Sequence, residues 1–111
     1  MTTLSDDLPE QNTELSSNSD FLETFLDSLY LEQGVSENTL SAYRSDLDKF
    51  CQFLKGENLM TVTSLDVESY LAHRVDLGLK PRSTARSISA LKRFYQYFVR
   101  EKIISDSPMV N

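Results

Sequence analysis

A chain of 111 residues with 40% hydrophobic content holds enough for one domain and too little for two. Its single cysteine, Cys51, excludes an intramolecular disulfide, and no apolar run approaches the ~18 residues of a membrane span. With no signal-like segment, the expectation is a cytoplasmic protein that makes no membrane contact.

Residues 1–19 are polar and lack aromatics, with Leu4, Leu8 and Leu15 as their large aliphatics. They carry too little apolar surface to offset their ordering entropy and read as a disordered acidic tail. A domain is expected over 20–106. From Asp20 the residues Phe21, Leu22, Phe25, Leu26, Leu29 and Tyr30 take helical spacing, with Ser19 or Asn18 as cap and Gly34 as stop. Ser36 offers a cap for a second helix over 37–55. Its stripe is Leu40, Tyr43, Leu47, Phe50, Cys51 and Leu54, and Gly56 ends it. Inside that stripe Cys51 reads as a small core residue, not a nucleophile.

Thr63 with Asp66 three residues on is a variant capping box, opening a third helix. Val67, Tyr70, Leu71 and Val75 form its expected inner face, and Gly78 closes it. Arg74 falls in the same sector, its stem laid on the core and its head directed to a carboxylate or solvent. His73 points away from the stripe and has no second His or Cys to share a metal with. Pro81 ends the next connection, and Ser83 or Thr84 can cap a fourth helix reaching about Glu101. Asp106 and Pro108 mark a break into a linker over 107–111. No strand alternation is present, so the expected class is all-α with four helices.

The formal net charge of −6 conceals a strong asymmetry. Residues 1–32 hold eight acids and no Lys or Arg, whereas 80–102 hold seven bases and one acid, Glu101. At about 100° per residue, Arg86, Arg93 and Arg100 fall within roughly 40° of Arg82. Ala85, Ile88, Leu91, Tyr95 and Phe98 lie between roughly 160° and 300° on the same wheel. The fourth helix is therefore expected to pack one face and present a line of arginines on the other, with Ser83, Thr84 and Ser89 at its N-terminal end. Arginines neutralise phosphates and release counterions. A helix N-terminus points N–H groups at anions, and a helix fits the major groove. The alternative is an ordinary solvated face. No phosphate loop, metal-ligand cluster or nucleophile set occurs, so no catalysis, cofactor, metal or small-molecule substrate is expected.

The segment FLETFLDSLYLEQGVSENTLSAYRSDLDKFCQFL (21–54) resembles the opening of the Xer branch of the tyrosine recombinases, in the phage integrase family. The phrase Ser36-Glu37-Asn38-Thr39-Leu40-Ser41-Ala42-Tyr43-Arg44-Ser45-Asp46-Leu47 carries the likeness, and 83–98 resembles that family's basic fourth helix. The likeness covers about 20–110. It implies a four-helix, SAM-like core-binding domain that clamps one side of a recombination half-site on double-stranded DNA, with helices two and four across the major groove. The DNA-facing positions it implies are Thr39, Tyr43 and Arg44, then Lys80, Arg82, Ser83, Thr84, Arg86 and Arg93. The helical plot supports the arginines independently but assigns Tyr43 to the core. The family's catalytic arginines, lysine, histidines and tyrosine belong to a C-terminal domain expected beyond this chain. The parent enzyme would cleave through a 3′-phosphotyrosyl link and resolve chromosome dimers, contacting other recombinase protomers, while the isolated domain is expected to be monomeric. The acidic tail is longer than the family leads one to expect. Two alternatives stand beside this: a helical module for an acidic protein partner, and the same domain in a phage or transposon integrase.

Overall fold

The computed structural model describes residues 17–109. Most of the expected tail, and the last two residues of the expected linker, lie outside that range. Four α-helices follow in order, α1 (Asn18–Gln33), α2 (Glu37–Phe53), α3 (Ser64–Asp76) and α4 (Pro81–Arg100), with a 3₁₀ turn at Leu59–Thr61. No strand occurs among the described residues. The class is all-α, as expected.

Helix α1 begins before the predicted boundary at residue 20, because the cap is Ser17: its side chain accepts the Asp20 amide. That frees Asn18 for a longer reach. Its Nδ2 donates to the Glu57 carbonyl at 2.7 Å and its Oδ1 accepts the Leu59 amide at 2.9 Å. Gly34 closes the helix at φ 62°, a left-handed conformation that glycine enters without a Cβ clash. Ser36 caps α2 as expected, and Thr63 and Asp66 form the reciprocal capping box of α3. The cap of α4 is Lys80, with Pro81 at the first helical position, rather than Ser83 or Thr84. Proline's fixed φ suits that position, and its missing N–H would have gone unpaired there anyway.

The core joins Phe21, Phe25 and Leu29 of α1, Leu47 and Phe50 of α2, and Leu91, Phe94, Tyr95 and Phe98 of α4. Rings meet edge to face, Phe21 on Phe98 and Phe25 on Phe94, each at 5.4 Å between centroids. The Tyr95 hydroxyl donates to the Leu59 carbonyl at 2.8 Å and pins the 3₁₀ turn beneath the core. Pro108 is buried, and Ile104 and Met109 pack on the core, so the chain after α4 folds back instead of leaving at once as a linker.

Three periodicity assignments fail. Tyr30 is 54% exposed and Val75 70% exposed, while Arg74, at 3%, takes the inner position that Val75 was expected to hold. Ala85 is exposed, and the buried face of α4 instead includes Ser87, Ala90 and Phe94. On the wheel these three lie between roughly 80° and 140° from Arg82, so the buried arc is turned toward the arginines. The arginine stripe therefore runs along the margin of the core, not opposite it. That shift decides what the arginines can touch.

Candidate nucleic-acid interface

Helices α2 and α4 pass one another in opposite senses. Asp46 meets Arg86, and Tyr43, one turn earlier in α2, meets Arg93, nearly two turns later in α4. The Asp46 carboxylate is 2% exposed, and it accepts Nε and Nη2 of Arg86 at 2.8 and 2.9 Å. Two parallel bonds fix the guanidinium plane. Bonding to Asp46, with its charge beside it, holds the Arg86 proton more tightly than usual. The remaining N–H groups of this half-exposed side chain stay available on the outer side.

Arg93 donates Nη1 to the Tyr43 hydroxyl at 3.3 Å and Nη2 to Gln33, with its guanidinium 5.7 Å from the Tyr43 ring centre. Tyr43 is buried, as the helical plot had it, yet its hydroxyl serves the arginine stripe. Arg100 pairs with Glu32 at 3.3 Å and lies 5.1 Å from the Tyr97 ring centre. Tyr97 is half-buried against Phe25 and Phe98, and that burial, with Glu101 and Glu32 nearby, raises its phenol pKa.

The first turn of α4 differs. It holds no acid, no side chain caps it, and Lys80 and Arg82 are exposed. Neither base has a partner among the described residues. Ser83 and Thr84 are half-buried beside them, and the Thr84 hydroxyl accepts Nε of Arg74 at 3.1 Å. An uncapped helix end carries unpaired N–H groups and the positive end of the dipole. Lys80, Arg82, Ser83 and Thr84 therefore form one continuous anion-attracting end.

Two further candidates stand apart from it. Thr39 lies in the first turn of α2, its amide and hydroxyl both engaged with Ser36 Oγ. Arg44 faces α1, where both of its terminal nitrogens are bound by Glu23. That bond holds the Glu23 carboxyl below its usual range. Sequence reading missed every tethering partner: Asp46, Gln33, Glu32 and Glu23. Their signal is a carboxylate or amide at the edge of an apolar stripe, which becomes informative only once the neighbouring helix is known.

Other chemistry is weak. Cys51 packs on the core, and burial pushes its thiol up to about 11, which keeps it protonated at neutral pH. No group of three or more His, Cys, Asp or Glu able to hold a metal occurs among the described residues. No helix among them is long and apolar enough to cross a membrane.

Comparison with known families matches residues 22–102 to the phage integrase N-terminal SAM-like domain. The chain belongs to this family. It is 52% identical over 89 residues to tyrosine recombinase XerD of Proteus mirabilis, covering 78% of this chain and 28% of that protein. It is 46% identical over 90 residues to tyrosine recombinase XerD of Shewanella oneidensis, covering 79% of this chain and 30% of that one. The Yersinia pestis XerD is 43% identical over 89 residues, with 78% and 30% covered. The SAM-like domain thus spans under a third of the length of these relatives, and the matched region is their N-terminal SAM-like part.

Proposed function

We propose that this SAM-like domain binds duplex DNA as the non-catalytic arm of a site-specific tyrosine recombinase. The observation that carries the reading is the first turn of α4, where Lys80 and Arg82 flank a helix terminus with no side-chain cap and no acid of its own. Arg86, held flat by Asp46, extends that surface along the same face. The recombinase names of the relatives support a parent that recombines DNA. The chain's span of under a third of their length leaves room for the separate catalytic domain that the family resemblance implies, with other recombinase protomers as partners. Resolution of chromosome dimers is the role that the resemblance to the Xer branch implies for that parent, with a phage or transposon role as the alternative. The domain itself, expected over 20–106, is read as the body formed by α1 to α4, with an acidic segment before it, and as working in the cytoplasm.

The face has an order of contact. Arg82 and Lys80 supply phosphate neutralisation, the amides at the start of α4 add donors, and Arg86 offers a pre-set fork. Arg93, Arg44 and Thr39 enter only if DNA displaces their present partners. A second reading has its own support: Glu23, Glu32 and Asp46 already pair with arginines of this domain. An acidic protein partner could use the same chemistry at Lys80 and Arg82.

The deciding experiment is an NMR titration of the labelled chain with a short duplex at two salt concentrations, alongside an acidic polypeptide. Shifts centred on 80–86 that fade with salt are expected for the duplex. Binding by half a clamp is expected at about 10⁻⁴–10⁻⁶ M, with a log–log salt slope near −4.5 if about five phosphates are met. Shifts of 80–86 with the acidic polypeptide, and none with duplex at low salt, would replace the DNA reading with the second one.

A further inference from the structure

A hollow of about 320 Å³ lies between the C-terminal parts of α2 and α3, with Lys49, Phe53, Tyr70, Arg74, Leu77 and Leu79 in its walls. Its volume falls at the small end of ligand clefts, roughly 300–1,000 Å³. Among its described lining residues none is acidic, and two, Lys49 and Arg74, are basic. His73 lines it as well, stacked on Phe53 at 5.1 Å between ring centres.

Arg74 is the unusual member. It is 3% exposed, yet it makes no ion pair with any described residue. Its Nε donates to the Thr84 hydroxyl at 3.1 Å and its Nη1 to the Tyr70 hydroxyl at 3.3 Å; neither bond engages Nη2. The Tyr70 ring face lies 5.9 Å from the guanidinium carbon and softens the charge further. A buried cation without a counter-charge is costly, and neutral hydroxyls only partly offset that cost. The hollow thus offers a carboxylate what the domain itself does not supply. Lys49 on its wall is also without a partner among the described residues.

The rest of the wall is apolar. Leu77 is 59% exposed and Leu79 40% exposed, both beside the hollow, and exposed apolar surface of this kind marks a contact site when it adjoins specific polar groups. We propose that this hollow docks an acidic–apolar peptide segment of another protein, its carboxylate set on Arg74 and Lys49 and its adjacent aliphatic or aromatic side chain set between Phe53, Leu77 and Leu79. A DNA phosphate fits the cations but not the walls, since a hydrated phosphate gains nothing from two leucines and a phenylalanine. The surface belongs to α2, α3 and the connection before α4. Its link to the DNA-facing end of α4 is the Arg74–Thr84 bond, so the Leu77 and Leu79 methyls, not Arg74 alone, separate the two readings.

The test uses the whole chain, labelled on methyl groups and on arginine side chains, and four probes. These are a capped Glu-Leu-Glu-Leu-Glu peptide, its Gln-for-Glu counterpart, inorganic phosphate and a short duplex. The acidic peptide is expected to shift the Leu77 and Leu79 methyls and the Arg74 Nε–H saturably, at about millimolar concentration or below. The Gln peptide should bind at least fivefold more weakly, and K49E should weaken the acidic peptide to a similar degree. K49E alters an exposed residue, so its fold can be checked by an otherwise unchanged spectrum, and L77D gives a second exposed probe of the apolar wall. Equal binding of the Gln peptide would remove the role of charge. Phosphate or duplex shifting the same signals as strongly would make the hollow a polyanion site. No shift with about 5 mM acidic peptide would overturn the proposal.

Discussion

The two ends of α4 carry the same residue type at the same helical phase and use it differently. At the C-terminal end, Arg93 and Arg100 are occupied by Gln33, the Tyr43 hydroxyl, Glu32 and Glu101. At the N-terminal end, Arg82 and its neighbour Lys80 meet no partner among the described residues. Arg86 stands between, spending two N–H groups on Asp46 and keeping the rest. A basic stripe is thus not one surface. Its far half latches α4 to α1 and α2, its near half is open to an outside anion, and Arg86 does both.

The comparison predicts its largest effect at Arg86. R86A removes the exposed partner of an ion pair and leaves Asp46 buried without a counter-charge, a loss of about 3 kcal/mol. For a domain of this size, that is on the order of 15 °C in Tm. D46N keeps the shape and one good acceptor, and is expected to cost about 1 kcal/mol. R82A breaks nothing internal and should stay within about 0.5 kcal/mol of the parent. Thermal unfolding of the three variants checks the order; an R82A loss as large as that of R86A would erase the distinction between the two ends.

Binding should divide the same residues differently. R82E is expected to weaken duplex affinity about tenfold and to lower the magnitude of the salt slope by about one. R100E is expected to change affinity less than about threefold, because its head is already committed and it lies roughly 27 Å along the helix from Arg82. Its effect should appear instead as a stability loss of about 0.5 kcal/mol, the usual scale for an exposed pair. Charge reversal at Arg86 is a poor probe of contact, since misfolding and lost binding coincide there. Fluorescence anisotropy with a labelled duplex at two salt concentrations separates R82E from R100E, and equal losses in both would mean that DNA displaces the C-terminal latches.

Much of this was legible in the residues. Helix spacing, the Ser36 cap, the Thr63–Asp66 box and the all-α class follow from local chemistry, which acts over a few positions and leaves a readable trace. The family phrase at 36–47 pointed to the SAM-like domain. What was not legible depends on how helices sit together. The wheel of α4 placed its apolar arc on Ala85 and Ile88 because both are aliphatic, whereas the fold buries Ser87 and Ala90, whose small side chains permit close helix approach. That rotation brought the arginines to the edge of the core, within reach of Asp46, Tyr43 and Gln33. Arg74 shows the same limit. Its position in the inner sector was evident, but two hydroxyls, one of them ten residues away in α4, hold its head in place of a carboxylate or water.

The smallest expected effect lies at Arg44, the candidate whose neighbour is α1 rather than α4. Bonding from Arg44 lowers the Glu23 carboxyl pKa in the folded chain, so the pair contributes stability above the unfolded glutamate value of about 4.3 and loses it as pH falls through the folded value. Both side chains are nearly half exposed, which limits the contribution to about 0.5 kcal/mol. R44A should therefore lower stability slightly at pH 7 and not at all well below pH 4, with the Glu23 carboxyl returning toward its ordinary titration midpoint. Side-chain carbonyl NMR of parent and variant, titrated from neutral to acid, reads that midpoint directly. If duplex DNA engages Arg44, its addition at neutral pH should release Glu23 and move the same signal; if Arg44 remains a latch, the Glu23 signal stays where it was while the resonances of 80–86 shift.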